Sequence, residues 1–167
     1  MIGYLDIETA FDGSLTVVGV LRNDRGLVQL VGDAITAASV RDVLDGLDTL
    51  CTFNGELFDL PVLHRLLGLD LLSAYRSLDL SVECRRTGRR GGLKAIEARL
   101  QIPRASNGLS GYDALVLWDR WQHGDRAALQ TLLDYNRDDV INLALLERRL
   151  RGDLGVPDPS QRVVVGV

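Results

Sequence analysis

Apolar and polar positions alternate with a period of two at the start of the chain. Over residues 2–8, Gly3, Leu5 and Ile7 fall on one face and Tyr4, Asp6 and Glu8 on the other, which predicts a strand. Residues 14–21 and 27–31 are rich in Val and Leu and flank the turn cluster Asn23-Asp24-Arg25-Gly26. They predict an antiparallel meander with the first strand. A short helix is expected over 38–47 and a fourth strand over 49–53, ending at Asn54-Gly55. Beyond that the period becomes helical. Helices are expected over 57–67, 92–100, 111–122 and 125–150, with a brief extended piece at 77–80. Residues 152–167, with their Gly and Pro, are expected to be a loosely packed tail. Strands first, then alternating helix and strand, predict an α/β domain over 1–151: a mixed sheet flanked by helices.

Three places put acids where burial is expensive. Asp6 and Glu8 share one face of the first strand, with Cα atoms about 6.8 Å apart. Two such acids repel and resist desolvation unless cations lie between them. An exposed edge strand would also tolerate them. Asn54-Gly55-Glu56-Leu57-Phe58-Asp59 runs from a strand end into a helix, and Asp59 in the first turn favours the helix dipole. On the last helix, Leu129, Leu132, Leu133, Val140, Leu143 and Leu150 define an apolar arc. Tyr135 and Asp139 meet on its flank at i, i+4. Asp139 falls inside the arc, whereas Asp138 is expected to face water.

Composition narrows the setting. The chain has 167 residues, 46% hydrophobic and 25% charged, the profile of one ordinary globular domain. No apolar run is long enough for a membrane span, and the acid at position 6 argues against a signal peptide; a cytoplasmic location is expected. Cys51 and Cys84 cannot build a disulfide framework or a zinc site. A net charge of −4 means that any contact with nucleic acid is local or metal-assisted. Of the 19 basic residues, all but Lys94 are Arg.

In order, the acidic elements read D-x-E, N-x₃-F-D and Y-x₃-D. Tyr4 to Thr9, Thr52 to Asp59 and Tyr135 to Val140 thereby resemble the three motifs of the DEDD (DnaQ-like) exonuclease superfamily. The resemblance is to its tyrosine-containing branch, with the flavour of the YprB-like enzymes. Gly92 to Glu97 resembles the segment between the second and third motifs. The resemblance implies a ribonuclease-H-like fold over residues 1–150 and a 3′–5′ exonuclease acting on nucleic acid. It implies two metal ions held by Asp6, Glu8, Asp59 and Asp139, with Tyr135 orienting the attacking water. Thr9, Asn54 and Phe58 are then substrate contacts. Where many relatives have Thr-Thr-Gly, this chain has Thr9-Ala10-Phe11, which bears on the terminal-nucleotide pocket. The sister branch places a His five residues before the last Asp; position 134 here is Asp.

Four carboxylates without thiolate or imidazole suit Mg²⁺ or Mn²⁺ rather than zinc. Two such ions can activate a water and neutralise a leaving oxyanion together. Arg85, Arg86, Arg89 and Arg90, interleaved with Gly88, Gly91 and Gly92, are candidate phosphate contacts. His64, His123, Trp118 and Trp121 are expected to be structural, and Asp79 to pack near the site. A binding module without nuclease activity and an endonuclease on the same fold remain open alternatives at this point.

Overall fold

The computed structural model describes residues 1–106, 108–152 and 163–166. The meander forms as the alternation predicts: β1 (Ile2–Thr9), β2 (Leu15–Arg22) and β3 (Gly26–Val31) pair antiparallel. Helix α1 (Ala37–Leu44) leads to β4 (Thr49–Thr52), which lies parallel to β1 on its other side. Helices α2 (Asp59–Leu67) and α3 (Leu71–Ala74) connect to β5 (Arg76–Asp79), parallel to β4. Four helices follow: α4 (Leu80–Arg86), α5 (Leu93–Arg99), α6 (Gly111–Gln122) and α7 (Arg126–Arg151). A last strand, β6 (Val163–Gly166), runs parallel to β3, so the sheet order is β5-β4-β1-β2-β3-β6. The tail expected over 152–167 thus contains a strand; 153–162 and 167 lie outside the described residues.

Helices cover both faces of the sheet. Leu5, Val18 and Val20 pack with Val40, Leu44 and Leu63 under α1 and α2. On the opposite face Tyr4, Leu21 and Cys51 meet Leu80, Ile96, Leu143 and Leu146 from α4, α5 and α7. Val17 and Val31 meet Trp118 of α6 and Leu132 of α7. Burial on two sides is why β2 reads as a nearly unbroken apolar run.

Two short helices, α3 and α4, were not legible in the apolar period. Each spans seven residues or fewer and is set by an acid at its start. Asp70 accepts from Ser73 N, and Asp79 accepts from Ser81 N. Arg85 and Arg86 therefore sit in the last turn of α4. Helix α7 begins on Asp125, whose side chain accepts from the backbones of Ala127 and Ala128, and stops at Gly152 with φ +81°.

The 26-residue α7 crosses the sheet closely at Gly19 of β2. A Cβ there would lie 2.1 Å from Asn136 Oδ1 and 2.9 Å from Val140 Cγ2. We expect Gly19→Ala to force α7 off the sheet at a cost of about 1–3 kcal/mol, the usual range for overpacking. In a chain of this size that lowers the melting temperature by roughly 2–12 °C, measurable by calorimetry.

Candidate active site

Strand β1 carries Asp6 and Glu8 to the sheet's centre, beside the end of β4. Its pairing with β2 slips between Glu8 and Thr9, a bulge where the strand turns away. The next acid arrives through a tight turn. Asn54 adopts φ +63°, and a Cβ on Gly55 would lie 2.4 Å from Thr52 Cβ. Asp79 holds this turn, accepting from Asn54 N at 2.9 Å while it caps α4. Asp59 opens α2, and its Oδ1 accepts from Ile7 N at 3.1 Å, between the two acids of β1.

Helix α7 completes the group. Asp6, Glu8 and Asp139 each present an oxygen within 4.8 Å of the other two. Asp59 is buried alongside but is tethered to Ile7 rather than part of this tightest trio. Burial raises all four carboxyl groups, and mutual repulsion adds to it. Asp6 stands well above the ordinary carboxylate range through burial and the charges of Asp139, Glu8 and Asp59. Glu8 is pushed up to about 8, by burial and then by Asp139 and Asp59. Asp59 reaches about 7, mainly through burial. Asp139 is also raised by burial, with Arg104 pulling the other way.

A cleft of about 430 Å³ opens on this cluster, lined by Asp6, Phe53, Gly92, Leu93, Lys94, Tyr135 and Asp139 among others. Tyr135 lies one turn before Asp139 on α7. Its hydroxyl accepts from Lys94 Nζ at 2.7 Å, and the same ammonium lies 4.3 Å from the ring centroid. Lys94 also donates to Leu109 O at 2.5 Å. Arg104 pairs with Asp139 and with Glu97, whose Oε2 is 3.0 Å from its Nε. Asn136, fully buried, donates from Nδ2 to Asp6 Oδ2 at 2.9 Å.

Other candidates lie around the cleft. Thr9 is half-buried at the end of β1, and Phe58 is 47% exposed just before α2. Arg85 and Arg86 end α4, while Arg89 and Arg90 lie in the turn leading to Gly92 and Lys94 on the cleft wall. Arg85, Arg86 and Arg90 are exposed and Arg89 is half-buried. Arg86 forms an ion pair with Glu83 at 2.7 Å.

One expectation is corrected. Asp138 does not face water: it is 8% exposed, and its Oδ2 accepts from Ser106 N at 2.7 Å. The loop carrying Arg104 and Ser106 covers that flank of α7, which the helical wheel of apolar residues cannot register. Arg104 and Asn136 are the partners that sequence reasoning did not place, and Lys94 entered it only beside the arginines of the basic segment. Lys94 had a signal, as the one Lys among arginines. Asn136 also had one, three residues before Asp139 on the same helix face. Arg104 had none. His64 and His123 are exposed, while Trp118 is buried and packs its ring 4.4 Å from that of Trp121.

The donor set fits hard divalent cations. It is all carboxylate, and Glu8 Oε1 is buried with no hydrogen-bond partner among the described residues. The raised values have a direct consequence for stability. Folding tightens the proton on each acid, so the stability that these acids contribute to the metal-free fold is fully present below the ordinary carboxylate values of 3.8 and 4.5. That stability is lost as pH rises through about 7 for Asp59 and about 8 for Glu8. In EDTA the melting temperature should therefore fall as pH rises from about 5 through about 8. Mn²⁺ at ten times its Kd at about pH 8 should restore about 1.4 kcal/mol, or roughly 3–6 °C, and the same concentration should restore less at about pH 5.5, where protons compete. Thermal melts across this grid check both signs.

The comparisons bear on the whole of this architecture. Residues 3–151 match the family model of the RNase H superfamily. A comparison with curated proteins finds no match. Among solved structures, the fold is similar to the family B DNA polymerase from the hyperthermophilic archaeon Pyrobaculum calidifontis. The TM-score is 0.69 at 16% identity, over 89% of this chain and 24% of that one. The chain thus spans about a quarter of the polymerase's length. At that identity the likeness concerns the fold, but the family model spans β1 to β5, the acidic cluster and α7 together. The chain belongs to the RNase H superfamily.

Proposed function

We propose that this chain is a metal-dependent 3′–5′ exonuclease of the DEDD superfamily's tyrosine branch, resembling the YprB-like enzymes, and that it degrades nucleic acid. The observation that carries this reading is the convergence of Asp6, Glu8 and Asp139 within 4.8 Å of one another, with Asp6 and Asp139 lining the cleft that also holds Tyr135. Membership of the RNase H superfamily supports phosphodiester hydrolysis. The likeness to a DNA polymerase supports a nucleic-acid substrate. The order of the three motifs supports the branch and the polarity. Among the described residues, no helix is long and apolar enough to cross a membrane.

Asp6, Glu8, Asp139 and Asp59 would hold two Mg²⁺ or Mn²⁺ ions. When bound, the ions supply an activated water and charge neutralisation at the leaving oxygen. Tyr135 does not act as a base. Burial and the charges of Asp139, Glu8 and Asp6 keep its phenol protonated through neutral pH. Lys94 occupies the phenol oxygen from one side, which leaves the O–H free to donate into the cleft and orient a water. Arg104 fixes Asp139 from the side of Glu97. Phe53 and Leu93 give the cleft apolar surface beside these charges.

End-labelled DNA and RNA, blocked at either terminus and digested with Mn²⁺, test the reading. Stepwise products from an unblocked 3′ end support it. Fragments of internal origin indicate an endonuclease, and intact substrate indicates a binding module. Asp6→Asn and Asp139→Asn should each lower turnover by at least about 10²-fold, the scale of removing one strong electrostatic element. Tyr135→Phe should lower it less while leaving the melting temperature nearly unchanged. A folded Asp6→Asn variant with wild-type turnover would sink the assignment.

The arginines supply a separate test. If Arg89 and Arg90 contact phosphates, replacing both with Ala weakens binding to all sequences alike. The log–log salt slope should flatten by about 0.7 per lost contact to a single strand. A fluorescence titration at several salt concentrations reads this directly, and an unchanged slope removes the two residues from the interface.

A further inference from the structure

Asp6, Gly19 and Gln29 are cross-strand partners in one row over β1, β2 and β3. Directly paired residues point to one face, so Asp6 and Gln29 flank a position with no side chain. Asn136 of α7 fills that gap, which is why a Cβ on Gly19 would collide with its amide oxygen. Gln29 Nε2 donates to Leu133 O at 2.9 Å and to Asn136 Oδ1 at 3.0 Å. Asn136 Nδ2 then donates to Asp6 Oδ2 at 2.9 Å.

The chain of bonds has a forced direction. A backbone carbonyl only accepts, so Leu133 O selects the nitrogen of Gln29. That nitrogen selects the oxygen of Asn136, and Asn136 must present its N–H₂ to Asp6. A fixed donor at Oδ2 holds the Asp6 carboxylate against rotation, and Asp6 presents an oxygen within 4.8 Å of those of Glu8 and Asp139. Gln29 and Asn136 are 2% and 0% exposed, so water does not compete for these groups. Two buried amides on separate elements are costly to retain unless satisfied, and here each satisfies the next.

We propose that Gln29 and Asn136 are positioning residues: a directional amide relay that locks Asp6 in its metal-binding orientation. The proposal rests on the reading of Asp6 as a metal ligand. Outer partners of ligating side chains typically change metal affinity by about 10–100-fold when removed. Asn136→Leu keeps the branch at Cγ and removes the donor to Asp6. Gln29→Met keeps the length and removes the donor that orients Asn136; it changes no residue of α7, although the bond to Leu133 O goes with it.

The experiment is a Mn²⁺ titration of the melting temperature, starting from EDTA, on wild type, Asp6→Asn, both single variants and the double. We expect the half-saturating Mn²⁺ concentration to rise about 10–100-fold in Asn136→Leu and by a smaller factor in Gln29→Met. The double variant should match Asn136→Leu alone, because Gln29 acts through Asn136. A folded Asn136→Leu variant with wild-type half-saturation overturns the relay while leaving the metal site standing. A wild type that does not respond to Mn²⁺, or responds no more than Asp6→Asn, overturns the metal reading and the relay with it. If Asn136→Leu does not fold, Gln29→Met decides, and unchanged half-saturation there overturns the proposal.

Discussion

Carboxylates removed from water repel one another, and the centre of this protein is organised around holding them together. At separations below 5 Å, each ionised pair costs about 3–4 kcal/mol at an effective dielectric constant near 20. That exceeds the roughly 1.5–3 kcal/mol gained by burying a large apolar side chain. The group can persist only where the surrounding elements fix each acid separately. Ile7 N holds Asp59, Asn136 holds Asp6, and Arg104 holds Asp139. Glu8 keeps a buried oxygen without a partner among the described residues. The positive charge the cluster needs is thus partly built in, through Arg104 and Lys94, and the remainder is what a bound cation supplies.

The fold delivers these acids from elements far apart in sequence. The cleft opens beside the ends of the parallel pair β1 and β4, the usual position for ligands in sheets of this kind. Helix α7 then brings Tyr135 and Asp139 across the sheet, and the absence of a side chain at Gly19 sets how near it comes. The far wall comes from α5 and the loop after it, which carry Lys94 and Arg104. The sheet, the start of α2 and the long helix hold the acids, and the more irregular wall places cations beside them.

Much of this was legible in the chain because it depends on period. Alternation exposed Asp6 and Glu8 as a same-face pair, and the helical arc singled out Asp139. Sheet class and most element positions follow from the same signal. What escaped it depended on side chains meeting across the fold. Asp138 reads as exposed on a wheel because the wheel has no loop in it, yet Ser106 lies over that side chain. Helix α4 depends on the Asp79 cap rather than on an apolar stripe. Gln29 sits in an apolar strand, as an unexplained polar residue, until α7 is placed above it. Asp59 was grouped with the other acids by motif order; its hydrogen bond to Ile7 N could come only from three dimensions.

Lys94 carries a consequence of a different kind. It holds the sequence's only ε-amino group, and that amine bonds Tyr135 within the cleft. Burial lowers its proton affinity. Apart from the N-terminal amine, which is paired with Asp48, an acylating reagent has no other lysine to meet. Acylation at this one nitrogen would remove a cation from beside Asp139 and a donor from Tyr135 at once, so amine chemistry, elsewhere a surface label, here reads the interior of the cleft.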